Sequence, residues 1–469
     1  MRARRGPVLV CCSLMLCVGV GCQPRHTFDV SSKAEVIVRH DDRLLILAPH
    51  PDDEVLGCGG IIQKAVAMGV PLRIVFFTYG DNNQWSFLLY RRHPVILPGA
   101  IKQMGLVRHD EALAAAALLG VPKDHLAFLG YPDFGTLHIW NDHWGVEEPY
   151  QSMLTRARAV PYANAQRPGA AYKGEEVLRD LTSILREFRP TKIFVSHPAD
   201  HMPDHRALYL FTRVALWDME QEMTPQLFPY LVHFAHWPRP RGYHPTQVLE
   251  PPATLQADSV WQIHWLSPKE VAHKALALRA HRTQYAYSRR YLTAFMKPNE
   301  LFGDFPVVTL RQTSAPLALS SEETQPAAEP SEELTDEERA KFVGLEARSI
   351  RLEADNVVVS IAFSRPLVEA VQSSVYLFGY RTDRLFAQMP KIHVKLWALD
   401  YGVYDQDRKL AKSSVTVSRQ PKQITIRVPL DLLGRPQRLL TSARTYLGNV
   451  PLDWSSWRIM FIDDRRPSS

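Results

Sequence analysis

The stretch "LLILAPHPDDEVLGCGG", Leu44 to Gly60, places a histidine and three acids between a run of apolar residues and a cluster of glycines. The apolar run predicts a buried strand, and the pattern that follows it predicts a helix. The polar residues at this junction are His50, Asp52, Asp53 and Glu54. Because like charges repel when they are held close together, the segment needs a compensating positive charge or another structural reason.

Outward from this stretch, apolar runs alternate with helical patterns. The strand-like runs are 43–49, 71–81, 125–133 and 191–198, and the helical patterns are 54–69, 108–121, 175–190 and 204–219. Repeated βα units predict parallel strands joined by right-handed crossovers. We therefore expect an α/β fold with a Rossmann-like open, mostly parallel sheet, in which ligands bind beyond the carboxyl ends of the strands.

A second polar cluster, "SHPADHMPDHRA" at 196–207, follows a later predicted strand. It holds His197, Asp200, His201, Asp204 and His205. Taken alone, the first cluster has a simple alternative explanation, since Asp52 or Asp53 could cap the helix that follows. Two histidine and carboxylate clusters at one sheet edge instead predict a shared metal site. Such ligands without cysteine suit Zn²⁺ with an open water position, and another divalent metal is possible.

These motifs resemble those of the PIG-L/LmbE-like zinc-dependent deacetylases, whose hallmark is A-H-P-D-D-E after the first strand and a later P-D-H. Here Pro49 stands where alanine is usual before the histidine. The segments "RHDEA" from Arg108 and "KALALRAHRTQ" at 274–284 match two further motifs of the family. The resemblance covers roughly Leu44 to Pro306 and implies the PIG-L/LmbE-like fold for that region.

The resemblance also implies a role for several residues. His50, Asp53 and His205 would bind zinc, and Asp52 would be the general base that activates water. Arg108 would contact the substrate, and a solvated helix arginine is the alternative interpretation.

One position departs from the family pattern. Met202 stands where many members carry a histidine that helps the oxyanion or the leaving amine. His201 or His197 could take over this role, and we expect His201 to do so.

The function implied by the resemblance is that of a hydrolase that removes acetate from an N-acetylated amino sugar in a GlcNAc-type glycan or glycoconjugate. The alternative is a catalytically degenerate protein of the cell envelope that binds a sugar or a partner. The complete set of ligands and base favours the enzyme. Dinucleotide binding is disfavoured, because "GCGG" lacks the G-x-G-x-x-G spacing.

The first 22 residues, "MRARRGPVLVCCSLMLCVGVGC", have the layout of a secretory signal. Cys22 follows small residues and resembles the lipidated cysteine of a bacterial lipoprotein, although Gly19 replaces the usual aliphatic residue. Ordinary cleavage with an incidental cysteine is the alternative. The segment predicts an exported lipoprotein that is anchored to the membrane of the bacterial cell envelope. The net charge of +6, without a long basic run, gives no sign of nucleic-acid binding.

Composition divides the 469 residues into five parts. We expect a signal peptide at 1–22, an N-terminal extension at 23–43, the deacetylase domain at 44–309, a flexible linker at 310–342 and a β-sandwich at 343–469. The linker is rich in Ser, Pro, Glu and Ala, and the strands beyond it alternate with period two. A chain that ends near residue 313 is therefore expected to fold alone.

Aromatic residues in both parts are candidates for stacking on sugar rings. They include Trp140, Trp144, Trp454 and Trp457. Packing in a core is the alternative for each of them, since aromatic side chains dominate small cores.

Overall fold

In the computed structural model of the chain, the described residues are 28–82, 97–312, 315–319, 334–448 and 450–463. The predicted signal peptide and Cys22 lie outside them. Among the described residues, no helix combines the length and apolar character that a membrane crossing requires.

The elements between Ala34 and Asp304 follow the predicted alternation of strands and helices. The helices are α1 (Asp53–Met68), α2 (Pro98–Leu118), α3 (Thr136–Asp142), α4 (Gly174–Phe188), α5 (Pro203–Asp218), α6 (Pro268–Leu278) and α7 (Arg282–Leu292). The strands are β1 (Ala34–Glu35), β2 (Leu44–Ala48), β3 (Leu72–Thr78), β4 (Leu126–Tyr131), β5 (Lys192–Ser196), β6 (Gln226–Tyr230), β7 (Val260–Trp265) and β8 (Asn299–Asp304).

Five of these strands form a parallel sheet in the order β4-β3-β2-β5-β6, flanked by helices. All five residues of β2 are buried, as expected for the central strand of a covered parallel sheet. From β2 the chain proceeds to β3 and β4 on one side and later to β5 and β6 on the other. The order therefore reverses between β2 and β5, which is where ligands bind in this class of sheet. The predicted α/β fold is confirmed.

The glycine cluster of the opening stretch lets α1 pack closely. A Cβ atom on Gly57 would overlap the Tyr230 ring, and one on Gly60 would lie 2.6 Å from Cγ of Leu266. Any larger residue would push α1 away from the sheet. The glycines therefore serve helix packing.

The C-terminal region is all-β apart from short helical segments, which include α8 (Asp336–Ala340). Its strands are β9 (Val308–Arg311), β10 (Leu317–Ala318), β11 (Leu345–Glu353), β12 (Asn356–Phe363), β13 (Val371–Tyr380), β14 (Lys391–Leu396), β15 (Tyr401–Asp405), β16 (Arg408–Leu410), β17 (Thr416–Gln420), β18 (Gln423–Pro429), β19 (Arg438–Leu447), β20 (Val450–Trp454) and β21 (Arg458–Asp463). One sheet has the order β10-β11-β12-β18-β17, and the other has the order β16-β15-β14-β13-β19-β21-β9 with β20 beside β19. The predicted sandwich is present.

The boundary between the two regions differs from the predicted one. β9 pairs with β21, so the larger sandwich sheet begins at Val308, inside the region expected to be catalytic. β10 and α8 lie within the predicted linker 310–342, where Leu319 and Leu334 are buried. Residues 313–314 and 320–333 of that linker lie outside the described residues. β10 exists because it pairs with β11, whereas α8 begins with a local capping box of Thr335 and Glu338.

The two regions share one apolar core. Trp140 on α3 is fully buried, with its ring centroid 5.3 Å from that of Phe386 and 6.0 Å from that of Trp457. Trp144 is also fully buried, 5.0 Å from Phe386. Beyond this core, Arg438 of β19 forms an ion pair with Glu220. Of the two interpretations of Trp140, Trp144 and Trp457, core packing is therefore the correct one, because these rings fill the contact between the two regions.

Candidate metal centre

Three side chains converge at the point where the strand order reverses. Nδ1 of His50 lies 3.2 Å from Oδ2 of Asp53 and 3.3 Å from Nε2 of His205, and the latter nitrogen is 3.1 Å from the same carboxylate oxygen. All three residues are buried, and Oδ1 of Asp53 has no hydrogen-bond partner among the described residues. Two imidazoles and a carboxylate in this arrangement fit a divalent metal ion.

The sequence brings these donors together through the sheet. His50 follows the carboxyl end of β2, and Asp53 is the first residue of α1. His205 is the third residue of α5, which begins just beyond β5. β2 and β5 are neighbours, so residues 155 positions apart in the chain meet at one edge.

Asp200 lies behind His205. Its Oδ2 is 3.1 Å from Nδ1 of His205 and accepts the backbone N–H groups of Val232 and His233. Its Oδ1 accepts the N–H of Met202. Burial alone would raise the pKa of Asp200, but the His205 charge and these hydrogen bonds outweigh it and lower the pKa to about 2. A carboxylate in this position orients the imidazole so that Nε2 faces the metal centre.

Two more carboxylates lie behind His50. Its Nε2 is 3.0 Å from Oδ1 of Asp133 and 3.1 Å from Oδ2 of Asp204. The Asp204 carboxylate also accepts hydrogen bonds from the backbone N–H groups of Phe134 and Thr136. Burial raises the pKa of Asp204, whereas in Asp133 the neighbouring His50 outweighs burial and lowers the pKa. His50 thus offers Nδ1 to the metal centre while Nε2 is held by carboxylates.

Asp52 occupies a strained turn before α1. Its φ of 116° lies in the left-handed region, and its side chain makes no capping hydrogen bond to the helix. The helix-capping alternative is therefore excluded for Asp52. Burial raises the pKa of this carboxyl to about 7, against the opposing charge of Arg108, whose Nη2 lies 3.6 Å from Oδ1.

Arg108, on α2, is buried against the same turn. Its Nη1 donates to the Gly80 carbonyl at 2.8 Å, and its Nη2 donates to the Pro51 carbonyl at 2.6 Å. The solvated-arginine alternative is thus wrong, because only 5% of the residue is exposed. These contacts fix the segment that carries Asp52, and the contact of Arg108 with substrate stays a prediction.

The histidines expected to replace Met202 lie elsewhere. The His201 ring packs 4.6 Å from Phe234, and burial lowers the pKa of His201 to about 4. The His197 ring is fully buried and stacks 5.6 Å from Trp261. Within the described part of the chain, both rings pack against aromatic side chains rather than the three proposed ligands. The catalytic role of His201 therefore stays a prediction.

His233 is the histidine that the sequence analysis missed. Its ring centroid lies 5.0 Å from that of His205, and its Nδ1 is 3.1 Å from the Tyr291 hydroxyl. The residue stands in a loop after β6 with no recognisable motif around it. Only the position of β6 beside β5 would have indicated this placement.

The two further family motifs form supporting contacts. His281 Nε2 lies 2.9 Å from Oε1 of Glu54, and both residues are fully buried. Thr283 donates its backbone N–H and its hydroxyl to Glu111 of α2. These pairs connect the end of the domain to the two helices that border the metal centre.

Comparison with known families identifies the region that contains this centre. The family described as PIG-L, GlcNAc-PI de-N-acetylase, matches residues 45–216. The chain contains a PIG-L domain. The match includes all three converging residues and Asp52, which ties the PIG-L domain to the metal centre.

Curated relatives of the PIG-L domain carry one description, 1D-myo-inositol 2-acetamido-2-deoxy-alpha-D-glucopyranoside deacetylase. The protein of Mycobacterium sp. (strain KMS) is 29% identical over 183 residues, which cover 38% of this chain and 52% of the relative. The protein of Streptomyces scabiei (strain 87.22) is 28% identical over 291 residues, which cover 55% of this chain and 80% of the relative. The chain spans about half the length of the first curated relatives that it matches.

Solved structures similar to the chain include two proteins of thermophiles. N,N'-diacetylchitobiose deacetylase from Pyrococcus horikoshii is 21% identical, with a TM-score of 0.30 and coverage of 54% of this chain and 75% of that one. A conserved protein from Thermus thermophilus is 22% identical, with a TM-score of 0.31 and coverage of 54% and 84%.

Proposed function

We propose that the protein is a zinc-dependent hydrolase that removes the acetyl group from an N-acetylated amino sugar within a glycan or glycoconjugate. The observation that supports this most is the convergence of His50, Asp53 and His205, with Asp52 beside them, inside a PIG-L domain. The relatives described as deacetylases of a 2-acetamido sugar are in keeping with it.

The donor geometry is compatible with zinc. The three ligand atoms are 3.1 to 3.3 Å apart. Ligand atoms around a tetrahedral ion with bonds of about 2.0–2.1 Å lie about 3.3 Å apart, so little movement is needed to bind one. When bound there, zinc supplies Lewis acidity, which acidifies water and polarises a carbonyl oxygen.

The carboxylates also account for the need for a cation. Five buried aspartates lie around the two imidazoles, namely Asp52, Asp53, Asp133, Asp200 and Asp204. Arg108 contacts Asp52, and the two imidazoles add positive charge only while they are protonated, a state that metal binding ends. A divalent ion supplies the missing positive charge. Its binding explains why acidic residues are concentrated in the stretch from Leu44 to Gly60.

In the proposed reaction, Asp52 takes a proton from the attacking water. The water oxygen bonds to the acetyl carbon, the carbon–nitrogen bond breaks, and the amine leaves with the proton that Asp52 removed. The buried turn and Arg108 hold the Asp52 carboxylate in place for this transfer. The products are acetate and a free amino sugar.

We assign the hydrogen bond to the reacting acetamido group to His233 rather than His201. The His233 ring lies beside His205, whereas His201 packs against Phe234 and Trp454. Tyr291 holds Nδ1 of His233, so Nε2, on the opposite side of the ring, is left for the substrate.

The decisive experiment combines metal analysis with acetate release. Zinc-loaded wild-type protein should release acetate from GlcNAc-containing glycans or glycolipids. Asp52→Asn should keep nearly one zinc per chain and lose turnover by about 10²–10⁴-fold. Unchanged acetate release in Asp52→Asn would contradict the mechanism, and zinc binding without any hydrolysis would favour the degenerate sugar-binding alternative.

Export and lipidation at Cys22 stay a proposal that rests on the signal-like segment. Incorporation of labelled palmitate into the wild-type chain, and its loss in Cys22→Ser, is the expected result. Release of unlabelled wild-type protein as a soluble species would contradict the anchor.

A further inference from the structure

One side chain of the sandwich contacts two residues that are close in sequence to the proposed ligand His205. Trp454, the last residue of β20, has its ring centroid 5.3 Å from that of His201, and the two rings are nearly perpendicular. The Arg206 guanidinium lies 5.2 Å from the Trp454 ring centroid. Arg206 directly follows His205 in the chain, so the sandwich contacts residues on both sides of a proposed ligand.

Trp454 belongs to a cluster of three aromatic rings, His201, Phe234 and Trp454, which we call the aromatic wall. The His201 ring contacts both of the others, with centroid distances of 4.6 Å and 5.3 Å. All three residues are only half-buried, so part of the wall is accessible. Accessible aromatic surface at the edge of a polar site is typical of ligand-binding clefts.

A second connection fixes the wall to the metal centre. Phe234 follows His233, whose ring lies 5.0 Å from that of His205. The backbone N–H of His201 donates to the His233 carbonyl at 2.8 Å, which ties the loops after β5 and β6 together. The wall is thus held from two directions, as a surface that determines specificity must be.

The charges around the wall favour a sugar over a hydrocarbon. The Arg206 guanidinium lies over the Trp454 ring, and the His201 imidazole is itself part of the wall. A hydrocarbon chain would cover these polar groups without offering them hydrogen bonds. A sugar ring offers an apolar C–H face to the aromatic ring and hydroxyl groups to the neighbouring donors.

We propose that the aromatic wall is a subsite for a second sugar ring of the substrate, next to the ring whose acetamido group lies at the metal centre. This inference rests on the proposed function. It gives the sandwich a direct part in substrate binding. The substrate class is then an oligosaccharide or a glycoconjugate with at least two sugar rings.

The test compares kcat and KM of the full-length, zinc-loaded protein on methyl N-acetylglucosaminide and on the β-1,4-linked N-acetylglucosamine disaccharide. Trp454→Ala should raise KM for the disaccharide about tenfold more than it raises KM for the monosaccharide. Trp454→Phe keeps a ring and should restore most of the affinity. Trp397→Ala is the matched control, since Trp397 is a half-buried tryptophan of the same sandwich outside the wall.

Each outcome distinguishes the subsite from the proposed function. Equal effects of Trp454→Ala on both substrates, or no effect on either, would overturn the subsite and leave the deacetylase proposal standing. A selective loss on octyl N-acetylglucosaminide would show that the wall binds a hydrocarbon and would also overturn it. If the wild type hydrolyses no sugar, calorimetry with the disaccharide tests the subsite instead. Equal affinity of the wild type and Trp454→Ala would then overturn it. If the alanine variant has a lowered melting temperature, Trp454→Leu replaces it throughout, because leucine keeps apolar volume without an aromatic ring.

Discussion

At the scale of single residues, Asp200 offers the sharpest test of the metal centre. Asn in its place keeps the shape and an oxygen for the backbone N–H groups but removes the charge behind His205. We expect Asp200→Asn to weaken zinc binding about 10- to 100-fold, as loss of such an orienting carboxylate does in other metal sites. Competition with a chromogenic chelator measures the affinity.

Asp180→Asn is the matched control for Asp200→Asn. Asp180 is equally buried, but its partners are Tyr131 and Arg167, outside the metal centre. Equal zinc affinity of wild type and Asp200→Asn would show that Asp200 supports the loop and not the ligand.

The assignment of His233 leads to a second residue-scale prediction. His233→Ala should lower kcat about 10²-fold or more while zinc stays bound, because a hydrogen bond to the reacting group is lost. His201→Ala should keep zinc and act mainly on KM for larger substrates, since its ring belongs to the wall. Zinc content and steady-state kinetics on one preparation measure both. A larger fall of kcat in His201→Ala than in His233→Ala would restore the original expectation for His201.

The functional residues of the motifs could be recognised from the sequence, but most of their contacts could not. His50, Asp53 and His205 lie together because both clusters follow strands that end at the same edge, which the βα pattern already implied. His233 could not be foreseen, because its place depends on the pairing of β5 with β6 and on Tyr291, far along the chain. The contacts of Arg108 with two carbonyls likewise depend on tertiary structure.

At the scale of elements, β2, α1, β5 and α5 lie within a few residues of their predicted positions. α2 differs, since it begins at Pro98 and not near residue 108. Gly99 and Gly105 weaken the helical pattern there, and Gly105 is needed because a Cβ atom would lie 2.5 Å from the Tyr162 hydroxyl. The predicted helix was too short at its start, because this close packing leaves no pattern in the local sequence.

β14 carries a lysine whose titration should be visible in stability. Nζ of Lys391 donates to the carbonyls of Phe386 and Met389 and lies 3.9 Å from the Phe386 ring centroid. Burial lowers the pKa of Lys391 to about 7, although Asp405 and Glu175 oppose this effect. A lysine in the unfolded chain has a pKa of about 10.4, so between these values the unfolded state binds more protons than the folded state.

The free energy of unfolding should therefore rise with pH between about 7 and 10, by at most about 1.4 kcal/mol per pH unit from this group. Below pH 7 both states are protonated and the cost of burying the charge is constant. Lys391→Met lacks this dependence, so its stability relative to wild type should fall as pH increases from 7 to 10. Urea unfolding at several pH values measures the difference. A difference that is independent of pH would contradict the lowered pKa.

At the scale of the whole molecule, the α/β region and the sandwich share one core. Period-two strands indicated a separate sandwich, and that part of the prediction agrees with the structure. The shared core was invisible in sequence, because Trp140 and Phe386 are distant and each fits an ordinary apolar pattern. Because of this core, we do not expect a chain that ends near residue 313 to fold alone, although the sequence pattern predicted that it would.

A chain ending at residue 313 should be insoluble or markedly less stable, because it exposes Trp140 and Trp144 and lacks the partner strand of β9. Soluble yield and thermal melting against the full chain measure the effect. Trp457→Ala in the full chain is the milder variant and should cost about 3–5 kcal/mol by removing one large side chain from the same core. A soluble, zinc-binding fragment with unchanged melting temperature would show that the two regions are independent.

The separation of His50 and His205 by 155 residues has a consequence for how the metal could be identified. An ion held by both would join the first and fourth βα units. Binding to the native state alone raises stability in proportion to the logarithm of ion concentration over its dissociation constant. A series of melting curves with different divalent ions would therefore rank their affinities without any substrate, and a chelator should lower the midpoint of the metal-loaded protein.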